Sequence, residues 1–445
     1  MPVAAGRLLD HAARAACRRP HLHSELKGTV VTTAQVPDVL APADLGPVRL
    51  RNRIIKSATF EHMAPGALVS DQLVEFHREV AAGGVGMTTV AYCAVAPEGR
   101  TEADQIWMRE AAVPGLRRLT DAVHAEGAAA SAQIGHAGPV ANAKSNGLPA
   151  LAASRRISPM GPQLTHAATV ADIARIRAAH GEATRLAIES GFDAVEIHFG
   201  HNYFASSFLS PVLNKRTDAY GGPLRNRARL IREVAAEVRE ASGGRIAVLA
   251  KLNMDDGVPG GFWLDEAAQV AQWLEADGSL DAIELTIGSS LLNPMYLFKG
   301  EAPLREFAEV MSPVMKVGVK VAGKVFLHTY PYRDLFMLEA ARQIRAAVSM
   351  PLVLLGGITD KAAMDTAMAE GFEFVAMARA LLREPDLINK IQADHEAKSL
   401  CIHCNKCMPT IFYDTRCVLR TRPTPVPLAD PVRADTPVAG NGVSR

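Results

Sequence analysis

Short apolar runs alternate with amphipathic stretches along most of the chain. The runs are rich in β-branched residues and several are apolar throughout, which is typical of parallel strands covered on both faces. Eight runs are candidate strands: Ile54–Thr59, Gly86–Cys93, Ala128–Gly135, Ala194–Phe199, Ile246–Asn253, Ala282–Thr286, Pro351–Gly356 and Phe374–Arg379. Three of the stretches between them have apolar residues at helical spacing and are predicted as helices: Ala171–Glu189, Asn226–Glu240 and Leu264–Ala276.

Eight strands that alternate with helices predict an α/β fold, a (β/α)8 TIM barrel with several long loops. A doubly wound open sheet is the alternative, but no glycine-rich dinucleotide-binding sequence follows the first strand. In a barrel, functional residues lie on the loops that follow the C-terminal ends of the strands. Candidate catalytic residues are therefore expected at these ends.

The same patterns divide the chain into four parts. A barrel is expected over residues 37–397, after a disordered leader at 1–36 and before a cysteine-rich segment at 398–420. Residues 421–445 contain five prolines and no periodic apolar face, so a disordered tail is predicted there. Within the barrel, residues 288–345 separate the sixth and seventh strands by more than one helix requires. The apolar part of this insertion could line a pocket, join the core or form an oligomer contact.

Composition and charge exclude several classes of protein. The 445 residues are 48% hydrophobic, and 48 Lys and Arg nearly balance 47 Asp and Glu. A near-neutral chain disfavours broad binding to nucleic acids or acidic membranes, and no apolar run is long enough to span a bilayer. The expected partner is a small-molecule substrate, with no nucleic acid and no membrane. A homo-oligomer is left open.

The fourth candidate strand carries the first candidate catalytic residues. Glu196 and His198 share one face of this strand, and His201 and Tyr203 follow in the loop. Two imidazoles and a phenol at the mouth of a barrel can bind a carbonyl oxygen and deliver a proton. Coincidental structural histidines are the alternative. Three such groups together favour a catalytic role for His198, His201 and Tyr203.

The sequence around these residues resembles the Old Yellow Enzyme family of NADH:flavin oxidoreductases. Within that family it is most similar to the branch of dienoyl-CoA reductases and trimethylamine dehydrogenase. The resemblance is most specific from His198 to Arg227 and extends in order over about residues 37–420. Shorter matching segments are Asn52–Ala58, Gln133–Gly138, Gly356–Ile358 and Phe374–Pro385. The resemblance implies an FMN-dependent barrel that is reduced by NAD(P)H.

The resemblance also implies a set of FMN contacts. Gln133 would bind the pyrimidine edge of the flavin, because an amide offers both a donor and an acceptor. Lys251 would lie near the N1/O2 edge, where a positive charge favours the reduced flavin. Many relatives have Arg at this position. Phosphate contacts are expected in the loops after the seventh and eighth strands: Gly356, Gly357, Ala378 and Arg379.

The end of the first strand departs from better-known relatives, which often have Thr or Cys beside flavin N5/O4. Here the local sequence is Ser57-Ala58-Thr59-Phe60. Thr59 is assigned this role, and Phe60 takes it if the alignment shifts by one residue. Ala58 and Tyr92 are expected to line the isoalloxazine ring, and Ser57 is grouped with these flavin contacts.

The implied reaction is the reduction of an activated C=C bond in an α,β-unsaturated carbonyl or enoyl-type substrate. His198 and His201 would bind the carbonyl oxygen, flavin N5 would deliver hydride, and Tyr203 would add a proton from the opposite face. The alternative is a flavin/iron–sulfur dehydrogenase that oxidises an amine or a similar small substrate and passes electrons to an external carrier. A flavin-barrel enzyme that modifies RNA is disfavoured by the near-neutral charge.

Four cysteines crowd into a short segment after the barrel: Cys401, Cys404, Cys407 and Cys417. Clustered cysteines suit metal ligation in a reducing, cytoplasmic setting better than disulfides. Their spacing fits a [4Fe–4S] cluster and also a zinc site. The dienoyl-CoA reductase branch has cluster ligands at this point, with Cys-Ile-Gly-Cys-Asn similar to residues 401–405, so a cluster is favoured over zinc. The last spacer is shorter than is usual in that branch.

Overall fold

The computed structural model describes residues 36–158, 163–311, 316, 323 and 327–421. The predicted leader, except for Val36, and the predicted tail, except for Thr421, lie outside the described residues.

Eight parallel strands close into a barrel, which confirms the fold that the alternating pattern predicts. In chain order they are β1 (Ile54–Lys56), β2 (Met87–Ala94), β3 (Ala129–Gly135), β4 (Ala194–Phe199), β5 (Ala247–Asn253), β6 (Ala282–Thr286), β7 (Leu352–Leu355) and β8 (Phe374–Met377). Each strand pairs with the next one along the chain, and β8 pairs with β1 to close the sheet.

The strands agree with the predicted runs to within a few residues, and β4 and β6 have the predicted bounds. The first, seventh and eighth strands end one to three residues earlier than predicted. As a result, six of the predicted cofactor contacts lie beyond the sheet, at the barrel mouth: Ser57, Ala58, Thr59, Gly356, Ala378 and Arg379. The backbone groups of Thr59, Gly356 and Arg379 are not committed to strand pairing there.

Helices cover the outside of the barrel. The longer ones are α1 (Asp71–Ala82), α2 (Val113–Ala125), α3 (Val170–Glu189), α4 (Arg229–Ser242), α5 (Leu264–Ala276), α6 (Leu338–Ala347) and α7 (Lys361–Ala369). Shorter helices lie at Ala143–Asn146, Phe204–Leu209, Leu224–Arg227, Pro294–Phe298, Leu304–Val310, Arg379–Arg383 and Leu387–Ala393. Within the described ranges, no helix has the length and apolar character needed to cross a membrane.

Two predicted helices illustrate how local sequence sets their ends. α3 begins at a capping box, in which the Thr169 hydroxyl accepts from the Asp172 amide and the Asp172 carboxylate accepts from the Thr169 amide. The helix predicted over Asn226–Glu240 is instead divided into two at Ala228, whose ψ of −9° departs from the helical value.

A short hairpin covers the N-terminal end of the barrel. Its strands, Ala43–Leu45 and Val48–Leu50, pair antiparallel. Leu45 and Leu50 are buried in an apolar cluster with the early residues of the barrel strands, among them Phe374. Burial of these side chains seals this end by the hydrophobic effect.

Candidate active site

A cavity of about 630 Å³ lies at the C-terminal ends of the strands; we call it the catalytic cavity. All thirteen residues predicted for catalysis or FMN binding line it: Ser57, Ala58, Thr59, Tyr92, Gln133, His198, His201, Tyr203, Lys251, Gly356, Gly357, Ala378 and Arg379. Residues from seven of the strands or the loops that follow them therefore meet at one site. A cavity of this size is in the range that holds a cofactor or a small ligand.

The floor of the catalytic cavity is a buried layer of charged and polar side chains. Lys251 on β5 donates a hydrogen bond to Glu284 on β6, and its Nζ is 3.3 Å from Oε2 of Glu196 on β4. Gln133 Nε2 donates to Glu196 Oε1 at 2.6 Å. Ser57 Oγ donates to Glu284 Oε1 at 2.6 Å. Burial alone would lower the pKa of Lys251, but the two carboxyl groups outweigh it and raise that pKa, so the ammonium stays charged.

Glu284 is a floor residue that sequence reasoning missed. The signal that could have found it is an acid inside the predicted buried strand Ala282–Thr286. A buried carboxylate almost always has a partner, so such an acid indicates a paired group. Its partners, Ser57 and Lys251, come from distant parts of the chain. Only the closed sheet brings them together.

His198 and His201 form a contacting pair above this floor. Nδ1 of His201 is 3.3 Å from Nε2 of His198, and Nε2 of His201 is 3.0 Å from Oγ1 of Thr286. Nδ1 of His198 is buried and has no hydrogen-bond partner in the part of the chain that the structure describes. His198 itself lines the catalytic cavity, and an unpartnered buried polar atom in such a residue is consistent with a role in binding a polar ligand group.

Both imidazoles are neutral under ordinary conditions. Burial, with smaller effects of His201 and Lys251, lowers the pKa of His198 well below its usual range. Burial, together with the charge of Lys251, lowers the pKa of His201 to about 3. A neutral imidazole can donate one hydrogen bond and accept another, so the pair can relay hydrogen bonds without carrying charge.

The loop that carries His201 is held by a buried carboxylate. His201 and Asn202 have φ values of 60° and 59°, in the left-handed region that His and Asn enter more readily than most residues. Oδ1 of Asp256 accepts from Asn202 Nδ2 at 2.9 Å and from Asn253 Nδ2 at 3.0 Å. Asn253 Oδ1 accepts in turn from the His201 amide at 3.1 Å. Asp256, which sequence reasoning missed, thereby fixes the position of His201.

Tyr203 packs against two other rings of the site. Its ring centroid is 4.4 Å from that of His198 and 5.4 Å from that of Tyr92, and both contacts are edge-to-face. Burial raises the pKa of Tyr203 above its ordinary value. The phenol is therefore protonated at physiological pH and can act as a proton donor.

The loop after β1 is built around a buried ion pair. Lys56 Nζ is 2.9 Å from Glu61 Oε1 and donates to Thr59 Oγ1 at 2.9 Å, while Thr59 donates to Glu61 at 3.1 Å. The Thr59 hydroxyl is thus engaged on both sides by this pair. Phe60, the alternative residue for the position near flavin N5/O4, also lines the catalytic cavity. The assignment of Thr59 to that position stays a prediction.

The loops after β7 and β8 present backbone to the cavity. Gly356 and Gly357 have φ values of 101° and 76°. A Cβ atom on Gly357 would lie 2.5 Å from the Leu335 amide nitrogen, so only glycine fits there without a shift. Arg379 donates to the carbonyl oxygen of Lys299 at 3.1 Å and to Asn405 Oδ1. Its guanidinium therefore links the cavity to the cysteine-rich segment.

The cysteines share a second, smaller pocket beside the catalytic cavity. Its lining includes Cys401, Cys404, Cys407, Cys417, Arg379 and Arg383. All four are free thiols, and Cys407 also lines the catalytic cavity. Among the described residues, no three His, Cys, Asp or Glu side chains are arranged to hold a metal ion. The four thiols are thus gathered around one pocket, but they are not arranged as a metal-ligand set. Thiols are the kind of ligand that binds iron or zinc.

Two segments outside the eightfold repeat form an apolar wall of the catalytic cavity. Phe298 and Phe307 come from the insertion after β6, and Met408 and Phe412 come from the cysteine-rich segment. The Thr415 amide donates to the carbonyl oxygen of Glu61 at 2.9 Å, which ties the same segment to the loop after β1. The wall suits the apolar part of a substrate.

Known proteins resemble this chain over most of its length. The family model described as "NADH:flavin oxidoreductase / NADH oxidase family" matches residues 38–286. The 4,4'-dithiodibutanoate disulfide reductase of Rhodococcus erythropolis is 56% identical over 390 residues, which cover 88% of this chain and 97% of that protein. The metal reductase of Desulforamulus reducens is 34% identical over 377 residues. This match covers 84% of this chain but 52% of that protein, so the chain spans about half of that relative's length.

A solved structure has the same fold. The complex of 2-naphthoyl-CoA reductase with 2-naphthoyl-CoA has a TM-score of 0.74 and 24% identity, over 86% of this chain and 57% of that chain. At this level of identity the likeness supports the architecture alone.

The neutral state of the imidazole pair can be measured directly. We expect His201 to stay neutral down to about pH 4, because burial and Lys251 disfavour its charged form. Heteronuclear NMR of the imidazole nitrogens would follow each protonation. His124 is the internal control, since its hydrogen bond to Asp193 raises its pKa despite partial burial. A His201 ring that gains a proton near neutral pH would contradict the site electrostatics described above.

Proposed function

The chain belongs to the NADH:flavin oxidoreductase / NADH oxidase family, and we propose that it reduces an activated C=C bond in an α,β-unsaturated carbonyl or enoyl-type substrate. Membership supports FMN as the cofactor and NAD(P)H as the reductant. When bound, FMN would supply the hydride chemistry that joins the nicotinamide to the substrate. The observation that carries the proposal is the buried pair of His198 and His201 beside Tyr203, above a charged floor.

The histidine pair would hold the substrate oxygen. One chain of hydrogen bonds satisfies every nitrogen: Thr286 donates to His201, His201 Nδ1 donates to His198 Nε2, and His198 Nδ1 donates to the substrate. A neutral donor that is already oriented stabilises the negative charge that develops on a carbonyl oxygen during reduction. This chain explains why Nδ1 of His198 lacks a partner among the described residues.

Tyr203 would supply the proton. Its phenol is protonated, and its ring lies against His198, so a substrate bound to His198 Nδ1 is close to the phenol. Addition of hydride to one carbon leaves the neighbouring carbon basic, and that carbon needs a proton. Tyr203 would donate it.

Residues around the cavity would hold FMN. Buried donors and the ammonium of Lys251 suit the polar edge of the ring, and the backbone at Gly356 and Gly357, which lines the cavity, suits the phosphate. The proposed set is Ser57, Ala58, Thr59, Tyr92, Gln133, Lys251, Gly356, Gly357, Ala378 and Arg379. Arg379 would have to divide its donors between the phosphate and the Asn405 side chain.

A second candidate substrate is an aliphatic disulfide that carries carboxylate groups. It is favoured by the relative from Rhodococcus erythropolis, which matches almost end to end and is named for the reduction of 4,4'-dithiodibutanoate. Hydride transfer to one sulfur breaks the S–S bond and yields one thiol and one thiolate. The thiolate is a far weaker base than a carbanion and takes its proton from solvent, so this reaction does not need Tyr203 as an acid.

We also propose that the cysteines bind a [4Fe–4S] cluster, with zinc as the alternative. The support is the gathering of Cys401, Cys404, Cys407 and Cys417 around one pocket and the resemblance of their spacing to cluster-binding relatives. The guanidinium groups of Arg379 and Arg383, which line the same pocket, would offset part of the negative charge of four thiolates.

Tyr203→Phe tests the proton donor. We expect the reduction of an enone or enoyl substrate to slow by about 10²- to 10⁴-fold, with little change in the reduction of the flavin by NAD(P)H. Stopped-flow absorbance of the flavin separates the two half-reactions. Tyr220→Phe is the matched control, because the Tyr220 hydroxyl donates to Glu233 away from the cavity. Equal slowing of both half-reactions would refute the assignment.

The same variant separates the two substrate classes. We expect Tyr203→Phe to leave disulfide reduction within about tenfold of the wild-type rate, because the leaving thiolate needs no acid. Turnover of 4,4'-dithiodibutanoate and of an enone would be compared on both proteins. If only the disulfide is reduced by the wild-type enzyme, the second candidate replaces the first.

Gly357→Ala tests the phosphate loop. A side chain at this positive φ and close contact costs about 1–3 kcal/mol, so we expect the dissociation constant of FMN to rise by about tenfold to a hundredfold. Fluorescence titration of the flavin measures it. Gly278→Ala has a similar φ but open space around the new Cβ, so FMN affinity should be unchanged. Equal affinities in both variants would exclude the loop from the FMN site.

Metal analysis tests the cysteine pocket. Protein purified without oxygen should contain about four iron and four acid-labile sulfide per chain, and Cys404→Ser should lose them. Cys93→Ser is the control, because Cys93 is buried in β2, away from the pocket. Zinc in place of iron would establish the alternative, and neither metal would rule out both sites.

A further inference from the structure

Two carboxyl groups and one ammonium group share the floor of the catalytic cavity, and the reaction proposed above gives the carboxyl groups no task. Glu196 is 1% exposed, Glu284 0% and Lys251 2%. One ammonium can balance only one carboxylate. A second ionised carboxylate in such a dry site would be left without a counter-charge, at a large cost in desolvation.

The contacts of the two carboxyl groups resolve this imbalance. Oε2 of Glu196 and Oε1 of Glu284 both contact the same ammonium, Lys251 Nζ, so the two buried carboxyl groups lie side by side. Two ionised carboxylates this close repel each other and one ammonium offsets only one of them, so one carboxyl group is favoured to keep its proton. We propose that Glu196 and Glu284 share one proton at neutral pH, and that this dyad sets the charge of the cavity floor beneath FMN.

The remaining partners place the proton on Glu196. Oε1 of Glu284 accepts from both Lys251 and Ser57, as suits an ionised group. Its Oε2 is buried and accepts from no nitrogen or hydroxyl donor of the described residues, so it is free to accept from a protonated Glu196. Burial and the charge of Glu284 raise the pKa of Glu196 to about 8. Burial alone would raise the pKa of Glu284, but the charge of Lys251 and the hydrogen bonds outweigh burial and lower that pKa.

The charge of the floor therefore has two values. With the proton in place, Lys251 balances Glu284 and the floor is neutral. When Glu196 loses its proton to solvent at higher pH, the floor gains one negative charge. The other titratable or polar groups that face the dyad are Gln133, Ser57, His198, His201 and the Lys56–Glu61 pair. The two imidazoles are neutral, so they do not offset the change.

The consequence for the cofactor rests on the proposed function, whereas the shared proton does not. Reduction of FMN adds negative charge to its ring system, so a neutral floor favours reduction and a negative floor opposes it. The midpoint potential of bound FMN should therefore fall more steeply with pH once Glu196 loses its proton. Glu196 and Glu284 would not react with FMN themselves; they would act on it through the electrostatic charge of the floor.

Infrared spectroscopy of purified full-length protein with isotope-labelled glutamate tests the shared proton, whatever the flavin content. We expect the carbonyl band of one protonated carboxyl group to disappear between about pH 6.5 and 9.5. Glu196→Gln should lack this change. Glu284→Gln should lack it as well, because Glu196 then ionises against Lys251.

Glu98→Gln is the control for the infrared experiment. Glu98 is also buried; burial opposes its ionisation, but hydrogen bonds and charge from His136 and Arg175 lower its pKa to about 2. This variant should keep the titrating band. A wild-type spectrum without a titrating carboxyl band, or a band that persists in Glu196→Gln, would overturn the dyad.

The potential of bound FMN tests the second half of the proposal. Reductive titration at a series of pH values should show, in the wild type, a bend at the pH where the infrared band disappears. Glu196→Gln should lack the bend at that pH, because its floor has one charge throughout. A straight dependence in the wild type, alongside a titrating band, would refute the coupling to FMN. Protein that binds no flavin would refute the proposed function but leave the infrared test valid.

Discussion

Burial of the Lys251 ammonium is the constraint on which the site depends. Its barrel position removes it from water, so its charge has to be met by side chains on the neighbouring strands. Glu284 on β6 balances this charge, Glu196 on β4 is hydrogen-bonded to the same ammonium, and Gln133 and Ser57 complete the layer. Loss of a single partner of a buried ion pair typically costs about 3–5 kcal/mol, so the layer fixes the register of the strands as well as the floor of the cavity.

The reactive groups above this floor are oriented by buried polar side chains on loops. Asp256 holds Asn202 and Asn253, which place His201, while the Lys56–Glu61 pair engages Thr59. Loops that carry function are usually mobile. Here the loop of His201 and the loop of Thr59 are each hydrogen-bonded to a buried charged side chain, which holds them in place at the mouth of the barrel.

Much of the fold and of the site follows from sequence. The apolar runs predict the strands, because a parallel sheet covered on both faces needs them. Residues predicted at strand ends, such as His198 and Tyr203, line the cavity because every strand points its C-terminal end the same way. The hydrogen-bond partners of Thr59 and Arg379 could not be predicted from the sequence. Their partners, Lys56 and Asn405, are chosen by the path of loops whose length and sequence follow no repeat. Glu284 was missed because its role depends on Lys251, which lies on another strand.

The apolar wall separates two properties that many enzymes combine in one set of residues. In the proposed reaction the reacting groups come from the barrel strands and the loops that follow them, whereas Phe298 and Met408, on segments outside the barrel repeat, would contact the apolar part of the substrate. Substitutions in the wall leave the charged floor untouched. Substitutions in the wall would therefore change the range of substrates that fit the cavity while leaving the groups proposed to react in place.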